Sequence, residues 1–364
     1  MLKFLLLGCG RISPNHIRAL AANSHEATIS AVCDPKPGLA EAAAASYNKL
    51  TGSKPTVFTD SDRAIAQSGA NCAAIATESG YHKALAISAL EQGCHTLIEK
   101  PIALSTLDAL QICETARAKG LTVGVCNQNR FNPAVRQLRR AVEAGRFGRI
   151  THATARILWN RNPAYYRQAP WRGTWAMDGG VLMNQCIHNI DLLQWMLGGE
   201  AETVTAMTRR AMRPIEAEDF GAALVRFKGG AIGGVEGTAC VYPKNLEETL
   251  SVFGERGTAV IGGVAVNRIQ TWQFDEIHPQ DEEVASLPRE DPTNVYGGGH
   301  TPLYRDFIKS IISGKQPLVN GEEGMKAMQI VLGAYLSQKE GRSIDLSGLE
   351  FSTELMAGAF KSPK

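Results

Sequence analysis

The feature that most constrains this chain is the alternation of its first 126 residues. Short apolar runs at 3–7, 28–33, 72–76, 95–98 and 122–126, with a shorter one at 56–58, are separated by helical stretches at 13–22, 39–47, 61–68, 81–92 and 106–119. Strands that alternate with helices build βαβ units and hence a parallel sheet. Several of the runs are apolar at nearly every position, as strands are when helices cover both faces of a sheet. After residue 126 the texture changes. One helix at 133–144 is followed by segments at 150–158, 204–211, 222–227, 231–238, 248–253 and 258–261, which alternate apolar with polar residues around turns such as Gly229-Gly230. These predict antiparallel strands with one open face. A helix at 181–197 interrupts them and stops at Gly198-Gly199, and amphipathic helices at 302–313 and 321–339 follow. The expected architecture is α/β plus α+β. A doubly wound parallel sheet spans 1–126, and 127–364 forms a second domain with a large, mainly antiparallel, open-faced sheet.

The first strand runs into Gly8-Cys9-Gly10-Arg11-Ile12-Ser13, which opens the first helix. In that context the pattern reads as a Rossmann dinucleotide turn. Gly8 permits the tight turn, Gly10 lets a pyrophosphate approach the backbone, and Arg11 and Ile12 complete the loop. Ser13 stands where a third glycine is usual; with Pro14 it predicts a helix start, serine as N-cap and proline at the first position. Asp34, after the second strand, is placed to bind ribose hydroxyls, and its charge repels a 2′-phosphate, so NAD is expected rather than NADP. Thr77, Ser79 and His82 follow the fourth strand, Glu99 and Lys100 the fifth, and Asn127 the last. All lie at the strand ends where such sheets bind their ligands, and they complete the expected cofactor contacts.

Lys100 also carries a chemical expectation. It sits in Glu99-Lys100-Pro101 directly after the run Cys94-His95-Thr96-Leu97-Ile98. A lysine at the end of an inner strand can be partly desolvated, which brings its pKa toward the range useful for proton transfer. Downstream, Asp178-Gly179-Gly180 precedes a helix on which Asn184, His188 and Asp191 fall at i, i+4 and i+7, predicting one polar face among apolar neighbours. Oxidation of a secondary alcohol sends a hydride to nicotinamide and a proton to a base within hydrogen-bond reach. His188, or Lys100 if neutral, can take that proton; Lys100 as an ammonium can instead stabilise the alkoxide. Residue identity alone leaves both divisions of labour open.

The bulk properties exclude other classes. A length of 364 residues predicts two domains, and 44% hydrophobic with 20% charged residues describes an ordinary soluble protein. A net charge of +2 offers nothing to nucleic acid or to an anionic membrane surface. No apolar run is long enough to span a bilayer, and the short run at 1–7 leads straight into Gly8, so it reads as a strand rather than a signal peptide. The eight cysteines stand singly with no CxxC pair, so no metal site is expected, only reduced thiols packed in the core of a cytoplasmic protein.

Taken in order, the Gly8 to Ser13 turn, Asp34, residues 77–82, Glu99-Lys100-Pro101 and the glycine pair with its His188 and Asp191 helix resemble the Gfo/Idh/MocA family of sugar oxidoreductases. The resemblance runs through Tyr304-Arg305-Asp306-Phe307-Ile308 and Gly321-Glu322-Glu323-Gly324. It implies a Rossmann domain joined to an α/β domain with a large open sheet, pairing into dimers or tetramers through that sheet, and catalytic roles for Lys100 and His188. One departure stands out: many members carry aspartate one helical turn before the histidine, where this chain has Asn184, and an amide cannot charge-couple to His188.

A narrower resemblance lies in Gln128-Asn129-Arg130-Phe131-Asn132-Pro133, Trp171-Arg172-Gly173-Thr174-Trp175 and Leu182-Met183-Asn184-Gln185. These look like the branch that oxidises C3 of UDP-N-acetyl-glucosaminuronic acid to a ketone in polysaccharide (lipopolysaccharide) precursor biosynthesis. An anionic nucleotide sugar gives a use to Arg130, Arg161 and Arg172, since arginine grips carboxylate or phosphate in a bidentate fork. Tyr166 and Asn184 join them as substrate contacts, and Trp171 with Arg172 is placed toward the nicotinamide end of the cofactor. Tyr165, Tyr296, His300 and Tyr304 are lesser candidates for sugar or uridine. Two other functions fit the same fold: an NAD-dependent dehydrogenase of a free polyol or sugar, and a nucleotide-sensing protein without chemistry. The presence of both Lys100 and His188 argues against the sensor.

Overall fold

The computed structural model describes residues 1–288 and 297–360. The chain forms two compact units. The first comprises Met1–Ala103, Leu107–Gln128 and Gly299–Met325; the second comprises Leu104–Thr106, Asn129–Gly298 and Lys326–Lys364.

In the first unit, strands β1 (Leu2–Leu7), β2 (Ala27–Cys33), β3 (Thr56–Phe58), β4 (Cys72–Ile75), β5 (His95–Ile98) and β6 (Val123–Val125) alternate with helices α1 (Ser13–Ala22), α2 (Pro37–Thr51), α3 (Ser61–Gln67), α4 (His82–Glu91) and α5 (Thr106–Lys119). All the pairings are parallel, and the strand order is β3-β2-β1-β4-β5-β6. Order reverses between β1 and β4, the switch point at which such sheets bind ligands. The central strands are buried along almost their whole length, which explains their uninterrupted apolar sequence.

Helix α6 (Pro133–Glu143) opens the second unit. Its sheet contains β7 (Ile150–Leu158), β8 (Ala201–Arg209), β9 (Phe220–Phe227), β10 (Ile232–Thr238), β11 (Glu247–Gly254), β12 (Gly257–Gly262), β13 (Arg268–Phe274) and β14 (Ile344–Asp345), in the order β13-β12-β11-β7-β10-β9-β8-β14. Only β7 with β10 is parallel; the remaining pairs are antiparallel, as the alternating pattern predicts. Helices α7 (Pro163–Arg167), α8 (Ile187–Met196), α9 (Gln280–Ala285), α10 (His300–Ser313) and α11 (Gly321–Glu340) complete the chain. Helix α8 lies on one sheet face. On the other, Met207 and Leu224 stand 77% and 63% exposed.

The structure divides the chain differently from 1–126 and 127–364. The segment containing α10 folds back onto the first unit, because its apolar stripe has a partner there: Tyr304 and Phe307 pack their rings against Phe4 of β1 at 5.6 and 6.4 Å. Ser13 is also not an N-cap. It is the first residue of α1, its hydroxyl turns back to donate to the Gly10 carbonyl at 2.8 Å, and no side chain caps the helix. All eight cysteines are free, and burial pushes thiols such as Cys9 up, to about 12, as core residues require. No helix among the described residues is long and apolar enough to cross a membrane.

Candidate active site

In the first unit the glycine turn is built as a cradle. Gly8 has φ of 92°, and a side chain there would meet the Ala76 carbonyl oxygen at 2.6 Å. Gly10 faces open space, with no atom within 4 Å of where a Cβ would stand. The uncapped start of α1 leaves its dipole to an anion. Asp34 is braced toward this turn: its two carboxylate oxygens accept from the Cys9 and Lys36 amides, each at 2.9 Å. Thr77 and Ser79 are half-buried beside it in sequence after β4. Asn127, only 2% exposed, has neither amide atom hydrogen-bonded to protein. A buried amide is costly without a partner, so this group fits a polar ligand. An open glycine turn, a fixed acidic residue after β2 and an orphaned buried amide together fit a dinucleotide.

Two expected cofactor contacts do other work. His82 is fully buried; its Nδ1 lies 2.8 Å from the Pro101 carbonyl and its Nε2 lies 3.2 Å from the Thr77 carbonyl. Burial lowers its pKa, and the ring ties the loop after β4 to the loop after β5. Glu99 also turns inward. Burial opposes its charge, but the hydrogen bonds and charges of His16 and His300 hold its carboxyl well below the ordinary range. His16 Nε2 donates to Glu99 Oε1 at 3.0 Å, and its Nδ1 is hydrogen-bonded to the Tyr304 hydroxyl at 2.7 Å. His300 Nε2 stands 3.5 Å from the same carboxylate oxygen. The second Glu99 oxygen accepts from the Lys100 amide at 3.2 Å. His300 and Tyr304 are therefore committed to this buried cluster rather than to sugar or uridine. Tyr296 lies outside the described residues. Across residues 96–104 every side chain is buried except Lys100, which is half-buried. The braces on either side present that one residue.

The second unit repeats this pattern on a helix. From 181 to 197 only Asn184 and His188 escape full burial. Leu182–Cys186 forms a π-helical turn that runs into α8; such turns recur at functional sites. Asp191 does not share their face. A regular α-helix would keep position 191 within about 60° of 184 and 188, but the π-helical turn at Leu182–Cys186 breaks that register, and Asp191, 1% exposed, turns into the interior. There it grips Arg130 in a fork, with Nε to Oδ2 at 2.8 Å and Nη2 to Oδ1 at 2.7 Å. Arg130 is fully buried, 4.8 Å from the Trp195 ring centre. This corrects the expectation that it binds substrate: its charge is neutralised inside the fold.

Before the helix, Gly180 exists for close approach, since a Cβ there would overlap Glu218 Oε2 at 1.8 Å. Glu218 Oε1 accepts from the Leu182 amide and from the Tyr335 hydroxyl, each at 2.9 Å, fastening the start of the helix. Burial, with Asp219 adding to it, pushes its carboxyl up to about 8. Asp178 Oδ2 accepts from the Gly173 amide at 2.8 Å, and its Oδ1 accepts from Asn184 Nδ2. The Asn184 carbonyl accepts from Gln185 Nε2 at 3.1 Å.

The other expected arginines do meet. Arg161 lies over Trp159 at 4.4 Å and Tyr165 at 5.3 Å; Arg172 lies over Tyr165 at 4.5 Å and Trp171 at 4.4 Å. The result is a half-buried series of alternating aromatic rings and guanidiniums. Arg172 Nη1 donates to the Tyr165 hydroxyl at 2.8 Å, while its buried Nε has no hydrogen-bond partner. Tyr166 is the inward neighbour, 7% exposed and edge-on to Tyr165 at 5.1 Å, with burial raising its hydroxyl pKa. It backs the series, and Tyr165 is the accessible tyrosine. Sequence reasoning missed Gln185 and Glu218 here, as well as the partnership of Asp178 with Asn184.

Comparison with known proteins agrees with this geometry. Residues 2–126 match the model of the oxidoreductase family's NAD-binding Rossmann fold, and 139–346 that of its C-terminal alpha/beta domain, both of the Gfo/Idh/MocA type. A WlbA dehydrogenase from Bordetella pertussis, solved with NADH and UDP-GlcNAcA, is 38% identical with a TM-score of 0.88 over 94% of this chain and 97% of its own. The WlbA dehydrogenase from Chromobacterium violaceum, with the same two ligands, is 37% identical with a TM-score of 0.85 over 94% and 95%. A D-apiose dehydrogenase from Paraburkholderia graminis is 24% identical over 96% of this chain and 90% of its own.

Proposed function

The chain belongs to the Gfo/Idh/MocA family of NAD-binding oxidoreductases, and from that premise we propose that it oxidises the C3 hydroxyl of UDP-N-acetyl-glucosaminuronic acid to a ketone. The observation that carries a dehydrogenase is the burial pattern: Lys100 alone is accessible across 96–104, and Asn184 with His188 alone across 181–197. NAD supplies the hydride acceptor. Gly8, Gly10, Arg11, Ile12, Asp34, Thr77, Ser79, Lys100 and Asn127 hold it. The chain's own task is the proton. One of Lys100 and His188 removes it from the sugar hydroxyl, and the other stabilises the developing alkoxide. Asn184 binds a neighbouring hydroxyl.

The substrate class rests on the cationic series. Arg161 and Arg172 are stacked on aromatic faces, and the buried Arg172 Nε has no hydrogen-bond partner, which supports a substrate carboxylate or diphosphate at this series. Both WlbA structures, the relatives of higher identity, hold UDP-GlcNAcA. The D-apiose dehydrogenase favours a free sugar instead, but a neutral substrate offers the buried Arg172 Nε no charged partner. The exposed Met207 and Leu224 support pairing of the open sheet face with a second copy.

NADH formation read by absorbance decides between the substrates. UDP-N-acetyl-glucosaminuronic acid should turn over, and D-apiose and myo-inositol should not; activity on the polyols alone overturns the nucleotide-sugar reading. Lys100→Met should abolish turnover while NAD still binds, weakened only by the one contact that Lys100 gives up. Surviving turnover would remove Lys100 from the chemistry.

A further inference from the structure

The carboxylate missing from position 184 is present six residues earlier. Asp178 is 3% exposed, with one oxygen on the Gly173 amide and the other on Asn184 Nδ2. An ionised carboxylate only accepts hydrogen bonds, so the face Asn184 turns to it must be its NH2. The carbonyl of the amide then faces away, where Gln185 Nε2 reaches it. Gln185 Nε2 is also 3.4 Å from the Tyr165 hydroxyl, which accepts from Arg172. A series of hydrogen bonds thus joins a buried carboxylate to a half-buried guanidinium, and Asn184 is its first link.

The geometry points to Asp178 as a positioning residue that requires asparagine, not aspartate, at 184 and fixes which face of that amide meets substrate. This inference rests on the proposed dehydrogenase reading, which puts Asn184 and His188 against the sugar. Aspartate at 184 sets two acceptor-only groups in contact, and like charges that close cannot both stay ionised. The titratable and charged groups near the pair include Tyr165, Tyr166, Asp219 and Glu218, Arg172 through Tyr165, Glu216 on the Trp175 amide and His188 four residues on along the helix. Arg172 brings a fixed positive charge that acts through Tyr165.

The test is a reciprocal swap. Asn184→Asp should cut kcat/KM at neutral pH by at least tenfold. Its deficit should shrink as pH falls, because one proton shared by the two carboxyls restores a donor. Asp178→Asn should give a comparable loss without that recovery on acidification. The double variant Asp178→Asn/Asn184→Asp restores one donor and one carboxylate and should exceed both single variants. Asn184→Asp activity equal to the parent at neutral pH, or a double variant no better than the product of the singles, overturns the proposal. Urea unfolding gives an arm independent of catalysis. The Asn184→Asp midpoint should match the parent near pH 4, fall below it as pH rises, and return in the double variant. If no sugar is oxidised but this stability pattern holds, the dehydrogenase reading fails and the pairing stands; a pH-independent midpoint difference sinks the pairing itself.

Discussion

Glu248 on β11 gives the sharpest test of the physical reading of the second unit. It is 6% exposed, with Oε2 lacking any hydrogen-bond partner. Burial pushes its carboxyl from the ordinary 4.5 up to about 8, against the opposing pull of Asn189 on α8 and the charge of Arg161. A raised acid pKa means that the folded protein holds a proton which the unfolded chain releases. Stability from this group is therefore undiminished below about pH 4.5 and falls progressively as pH rises to about 8. At 1.36 kcal/mol per pH unit, the cost at pH 7 is about 3 kcal/mol. Glu248→Gln keeps the shape and the hydrogen-bonding capacity toward Asn189 and removes the ionisation. Imperfect pairing of the new amide costs back about 1 kcal/mol.

The chain suits the measurement. All five tryptophans (Trp159, Trp171, Trp175, Trp195 and Trp272) lie in the second unit, so tryptophan fluorescence during urea unfolding reports that unit. The variant should be no more stable than the parent at pH 4.5 and should gain steadily above it. By pH 7 the net gain should be about 2 kcal/mol, with a plateau reached near pH 8. A difference that stays constant across this range, or a parent whose stability rises with pH relative to the variant, would refute the assignment of a buried neutral carboxyl.

Two further outcomes follow from the same geometry. Arg130→Met strands Asp191 in the core and should cost about 3–5 kcal/mol of second-unit stability, most of it regained in Arg130→Met/Asp191→Leu; a higher KM at unchanged stability would return Arg130 to substrate binding. Leu224→Lys places a charge on the open sheet face and should shift sedimentation toward the monomer, whereas an unchanged oligomer would locate the interface elsewhere.

What the sequence makes legible is local and periodic: the alternation that builds the parallel sheet, the Gly8 to Gly10 turn, Asp34 after β2, the helix carrying His188. What it hides is partnership. Arg130 reads the same whether its counter-charge is a substrate carboxylate or Asp191, 61 positions away. Glu99 reads the same whether it faces a ribose or His16, 83 positions away. The return of α10 to the first unit depends on Tyr304 and Phe307 finding Phe4, a contact no local pattern encodes.

Part of this is nevertheless recoverable from elementary geometry. Successive residues of an extended segment point to opposite sides, so Glu99 and Lys100 cannot both face a cofactor. Once Lys100 is the exposed member, Glu99 must turn inward, and an inward glutamate demands partners such as the two histidines it has. Asp191 is not recoverable in this way, because a regular helix keeps it on the face of Asn184 and His188 and it is the π-helical turn at Leu182–Cys186 that breaks that register. Asn184 obeys the converse rule. An amide beside a substrate can point either way, and only a neighbour that accepts without donating gives it one orientation. Asp178, written into the same Asp-Gly-Gly turn that starts the helix, is that neighbour. The apparent loss of a catalytic carboxylate is thus better understood as its displacement to where it orients an amide.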